Sequence, residues 1–148
     1  MSPARWQSAW NFNVSLSLQP LIGIIAAGNC AVIKPSEVSP AVSETVEKLV
    51  HRYLPKEAVR VIQGGVQETT ELLSLHWDHI IYTGSTSVGK IVMKAAAEHI
   101  TPVTLELGGK NPTFVHRSAK LEIAAQRMAF VKFCNAGQWC VDGEWRTS

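Results

Sequence analysis

Few cysteines, little net charge and no long apolar run mark this sequence, and each shortage narrows what it can be. Cys30, Cys134 and Cys140 are an odd set with no Cys-x-x-Cys pair. That argues against a disulfide framework or a thiolate zinc site and makes a reducing compartment, the cytoplasm, the expected setting. The formal charge is +2, with lysines and arginines scattered and no basic run, so nothing points to nucleic acid. The longest apolar stretch, residues 21–27, contains Gly23 and is too short to span a bilayer. The opening residues carry no signal-peptide pattern. Five histidines (His51, His76, His79, His99, His116) stand apart and imply no metal. Internal repeats and low-complexity segments are absent.

What is present is the composition of a globular chain. Its 148 residues are 46% apolar and 18% charged, enough for one domain with a real core. Residues 1–14 read as irregular, with Trp6, Trp10 and Phe12 as large apolar surface. A helix is expected over residues 16–27, stopped by Gly28-Asn29. A strand follows at 30–33, then a helix to about residue 52 that starts at Ser39-Pro40 and carries Val42, Val46, Leu49 and Val50 as its stripe. Further strands are expected at 59–63, 79–83, 103–107 and 113–115, with helices at 67–75 and after Gly84-Ser85-Thr86. The last helix, 119–133, would turn Leu121, Ala124, Ala125, Met128 and Val131 inward. Strands and helices alternate at βαβ spacing. The predicted class is therefore α/β, a doubly wound parallel sheet with helices on both faces.

Several stretches could carry chemistry. Gly84-Ser-Thr-Ser-Val-Gly89-Lys90 follows a strand and opens a helix, nearly matching a phosphate loop, but Ile91 stands where a magnesium-binding Ser or Thr belongs. Small residues at a helix start still leave amides for a pyrophosphate; a tight turn capped by Ser85 fits equally. Lys34-Pro35-Ser36-Glu37 follows a strand at its carboxyl end, where Glu37 could accept from ribose hydroxyls and Lys34 could donate. Glu106 lies in an apolar strand among Val103, Leu105 and Leu107, where a carboxylate is costly to desolvate. Cys140 follows a helix end in a glycine-containing loop, where a thiolate can be exposed and stabilised. Asn11, between Trp10 and Phe12, is an amide donor suited to a developing oxyanion.

Taken together these motifs resemble the aldehyde dehydrogenases. The likeness rests on Trp10-Asn11-Phe12, Ala27-Gly28-Asn29, Lys34-Pro35-Ser36-Glu37, Tyr82-Thr83-Gly84-Ser85-Thr86, Val103 to Lys110 and Asn135-Ala136-Gly137-Gln138-Trp139-Cys140, all in the family's order. Gly64-Gly65-Val66-Gln67-Glu68 and Leu105-Glu106-Leu107-Gly108-Gly109-Lys110-Asn111-Pro112 are similar to the class 3 type. The resemblance implies NAD(P)-dependent oxidation of a small-molecule aldehyde through a cysteine thioester. Cys140 would be the nucleophile, Asn11 the oxyanion donor and Glu106 a buried general base. Lys34, Glu37, Gly84, Ser85, Gly89 and Leu107 would line the NAD or NADP site. The resemblance also implies homodimers for full-length relatives.

On the same ground residues 1–140 would be a partial NAD(P)-binding domain ending at the cysteine loop, and residues 141–148 an atypical tail. The alternative is a catalytically dead nucleotide-binding module or a non-functional fragment. Ala9 and Asn13 replace the prolines usual around Trp10-Asn11-Phe12, which predicts a less constrained loop.

Overall fold

The irregular start expected for residues 1–14 is instead the central strand, β1 (Pro3–Gln7). Its Ala4 and Trp6 are buried on one side of the sheet, and Arg5, on the other, is also fully buried. Pro3 sits at the first position, where a strand tolerates the missing donor. A helix, α1 (Asn13–Ala26), leads to β2 (Cys30–Lys34), and α2 (Pro40–Tyr53) leads to β3 (Val59–Val61). Next come α3 (Val66–Leu73), β4 (His79–Gly84), α4 (Thr86–Ala97) and β5 (Val103–Leu107). The computed structural model describes residues 2–144. Residues 145–148 of the expected tail lie outside the described residues.

The strand order β3-β2-β1-β4-β5 gives the five-stranded parallel sheet that βαβ spacing predicts. Arg5 is in register with Val32 and Ile80, and Gln7 with Lys34 and Tyr82. Helices α1 and α2 cover the face carrying Ala4, Trp6, Ala31 and Ile33, closing a core with Leu21, Ile24, Val46 and Val50. Helices α3 and α4 bury Leu72, Leu73, Val92 and Ala96. The end of α1 is set by Gly28 at φ 74, with the amides of Gly28 and Asn29 returning to the carbonyls of Ile25 and Ile24. Sequence and structure agree there. Among the described residues no helix is long and apolar enough to cross a membrane.

The chain divides into two compact units, Met1–Glu106 and Leu107–Ser148. In the second, the strand expected at 113–115 is replaced by β6 (Asn111–Pro112), which pairs in parallel with β7 (Gly143–Glu144). The helix α5 (Leu121–Phe133) forms, but its expected inner face does not bury: Leu121 and Ala125 are exposed, and Ala124, Met128 and Val131 only half-buried. A unit of about forty residues has too little chain to enclose a core of its own.

Candidate functional site

The strand order reverses at β1: β2 and β3 lie on one side of it, β4 and β5 on the other. In open α/β sheets, ligands bind outside the carboxyl ends of the strands at such a point. Lys34, the last residue of β2, is fully buried there, and its ammonium lies 2.5 Å from Glu37 Oε2. Partial burial pushes the Glu37 carboxyl up. The Lys34 hydrogen bond, its own backbone amide and the Lys34 charge outweigh that and hold it below its ordinary value. Glu68 is held below its ordinary value as well, by its own amide and that of Gly65, which donates to Glu68 Oε2 at 2.6 Å, with a further pull from Lys34. One buried cation thus faces two ionised carboxylates.

Across β1, the end of β4 supplies Gly84 and Ser85. Ser85 caps α4, its Oγ accepting from the Val88 amide at 3.3 Å. Gly89 is buried, its amide on Ser85 O at 2.9 Å. The first amides of a helix have no intrahelical acceptor, and those of Thr86 and Ser87 have no partner among the described residues. Thr83 Oγ1 is buried with no partner among the described residues. Free amides at a helix start, an orphaned hydroxyl and a buried lysine–glutamate pair fit a dinucleotide diphosphate and its ribose.

Asn11 sits half-buried in the turn after β1. The expectation of a loose turn is not met at Asn13, whose side chain is held by three hydrogen bonds. Its Oδ1 accepts from Ser17 Oγ at 3.1 Å and Ser8 Oγ at 3.3 Å, and its Nδ2 donates to Ser43 Oγ at 3.2 Å. Ser43 in turn donates to the Ser36 carbonyl at 2.7 Å. This buried network ties the Asn11 turn to the Lys34–Glu37 segment.

Glu106 is exposed, not buried as expected. Strand β5 alternates, so Val103, Leu105 and Leu107 take the half-buried side and Thr104 and Glu106 the other. Glu106 borders an apolar groove of about 430 Å³ walled by Trp6, Ile24, Ala27 and Ile81. Leu107 ends β5 half-buried. In the second unit Cys140 is exposed. Asn111 Nδ2 donates to the carbonyls of both Cys140 and Asp142, each at 2.9 Å, and Lys132 Nζ lies 2.9 Å from Asp142 Oδ2. Sequence reasoning missed Asn13, Asn111 and Thr83. For the first, Ser8 five residues before it and Ser17 four residues after it were the available signal.

Residues 7–145 match the aldehyde dehydrogenase family. The chain belongs to that family. It is 56% identical over 133 residues to the mouse protein named aldehyde dehydrogenase, dimeric NADP-preferring, covering 90% of this chain and 29% of the relative. The rat aldehyde dehydrogenase family 3 member A2 is 52% identical over 133 residues, with 90% and 28% coverage, in keeping with the class 3 motifs. Among solved structures, Staphylococcus aureus AldH in a substrate-bound state superposes with a TM-score of 0.90 at 43% identity, over 95% of this chain and 31% of that one. Mycobacterium tuberculosis aldehyde dehydrogenase complexed with NAD+ gives 0.85 at 32% identity, over 95% and 30%. The chain thus spans less than a third of the length of these relatives.

Proposed function

We propose that this chain carries the dinucleotide-binding residues and the reacting side chains of an NAD(P)-dependent aldehyde oxidation that yields a carboxylic acid. The observation that carries the reading is the pairing of the Lys34–Glu37 clamp with the free amides of α4 at the strand-order switch. The NAD+ complex of the Mycobacterium tuberculosis relative and the NADP preference in the mouse relative's name support it. Glu37 would accept from the adenosine ribose hydroxyls, Lys34 would donate to the same sugar, and the Thr86 and Ser87 amides would face the diphosphate, with Gly84, Ser85 and Gly89 shaping the turn. Leu107 would border the nicotinamide end.

The Cys140 thiolate would add to the aldehyde carbon, and the amide of Asn11 would donate to the resulting oxyanion. When bound, the dinucleotide would supply the hydride acceptor that lets the Cys140 adduct become a thioester. Glu106 takes a proton from the water that attacks the thioester, and the thiolate departs as the acid forms. Homodimer formation and a cytoplasmic setting belong to the same proposal.

The test is a single-turnover reaction of the full chain with NAD+ and a medium-chain or aromatic aldehyde. A burst of reduced nucleotide, lost in Cys140→Ala, is expected. Nucleotide binding without a burst would reduce the proposal to its alternative, a module that binds the dinucleotide and does not turn over.

A further inference from the structure

The loop that carries Cys140 is entered on a costly backbone. Asn135 (φ 51, ψ 37) and Ala136 (φ 57, ψ 32) stand in the left-handed region, followed by Gly137 at φ 76. A Cβ crowds the next carbonyl in that conformation, so the two residues that carry one adopt it at a cost. Such backbone persists only where other contacts fix it. Those contacts lie at and beyond the cysteine. Asn111, the first residue of β6, has two hydrogens on Nδ2, and it donates to two carbonyls, those of Cys140 and Asp142, each at 2.9 Å. The Asp142 carboxylate is paired in turn with Lys132 Nζ at 2.9 Å, in the last turn of α5. The Asp142 amide donates to the Trp139 carbonyl at 3.2 Å and closes a turn around Cys140.

Cys140 is exposed, so the direction of its thiol is set by the backbone rather than by packing. The carbonyl that Asn111 holds is the cysteine's own. Fixing that peptide plane, together with the one two residues on, fixes the direction in which the Cα–Cβ bond of Cys140 leaves the loop. From this arrangement we infer that Asn111 is a positioning residue for the Cys140 nucleophile: its side-chain amide clamps the carbonyls on both sides of Val141 and holds the thiol in one direction. A thiol so held meets a bound aldehyde in reactive geometry more often than one free to swing. The inference rests on the proposed thioester chemistry and adds to it a residue that touches no reacting atom itself.

The test compares the unaltered full chain with Asn111→Ala, which removes the clamp, and Asn111→Asp, which keeps the shape but turns acceptors toward the two carbonyls. In the single-turnover reaction with NAD+ and an aromatic aldehyde, the burst should slow about tenfold or more in both variants, the size that a misplaced reacting group produces. Alkylation of Cys140 by iodoacetamide, followed by mass spectrometry, needs an exposed thiol but no fixed direction, and should keep its rate and its pH profile. Calorimetric affinity for NAD+ should also be unchanged, whereas a general loosening of the fold would lower it. The two side-chain amide hydrogens of Asn111 should exchange slowly in the unaltered, nucleotide-free chain, a measurement that needs no variant. An unslowed burst in the variants, a burst that falls together with alkylation or with NAD+ affinity, or freely exchanging Asn111 side-chain hydrogens would overturn the role of Asn111 alone. No burst from the unaltered chain would remove the thioester chemistry and this inference with it.

Discussion

Arg5 occupies the middle of the central strand with no solvent exposure and, among the described residues, no carboxylate partner. Among those residues only Nη2 is bonded, to Gln7 Oε1 at 2.8 Å, while Nε and Nη1 are buried without acceptors. Burial alone pushes its pKa down to about 10. A base whose folded value is lowered holds its proton better when unfolded, so Arg5 subtracts stability at every pH below about 10. Replacing it with an apolar side chain of similar length, Arg5→Met, is expected to stabilise the chain by about 1–3 kcal/mol. That is a rise in melting temperature of about 2–4 °C for each kcal/mol; a fall would contradict the account. Glu37 works in the opposite sense. Its folded pKa is lowered, so the stability it lends is present above its unfolded value near about 4.3 and is lost as pH falls through the folded one. Glu37→Gln should melt earlier than the unaltered chain at pH 7, with the difference gone once both are titrated well below pH 4. An unchanged gap across that range would show that the pair is not linked to folding.

Helices and strands were readable wherever pattern and punctuation agreed. Ser39-Pro40 begins α2, Gly28 ends α1 and Ser85 caps α4, as the sequence predicts. The central strand was hidden because Pro3, Arg5 and Gln7 break its apolar pattern, and a buried arginine reads as a surface residue until the fold covers it. The turn after β1 was misjudged for a related reason: a side-chain network leaves no periodicity to read. Because Asn13 holds Ser8, Ser17 and Ser43 together in the interior, Asn13→Ala should destabilise the chain by about 1–3 kcal/mol, the usual cost of stranding buried polar groups. A shift in the denaturation midpoint without a change in slope would register it. Gly84→Ala should likewise displace Tyr82 from its place under the turn and cost about 1–3 kcal/mol as overpacking. If that chain melts like the unaltered one, the fit between phenol and glycine is wrong.

Across the whole chain, the motifs told more about family than periodicity told about packing. Lys34 ends β2 with Glu37 three residues on, and Gly84 ends β4 with Ser85 capping α4. Glu106 and the inner face of α5 were expected to be buried and are not, because sequence pattern shows which face is apolar but not what packs against it. Local stability should follow burial. Amides of β1, β2 and β4, whose strands bury Trp6, Ile33 and Ile80, should exchange far more slowly than those of α5, which buries no side chain. Equal protection of the two would show that residues 121–133 are more firmly held than the structure indicates.

The central claim is that the carboxyl edge of this sheet takes up a dinucleotide through the Lys34–Glu37 clamp and the start of α4. Titrating NAD+ into the full chain and into Glu37→Ala, side by side in a calorimeter, tests it most directly. The account predicts saturable heat at one site per chain and a clear loss of affinity in the variant. Flat heats from the unaltered chain, or equal affinity in both, would contradict it.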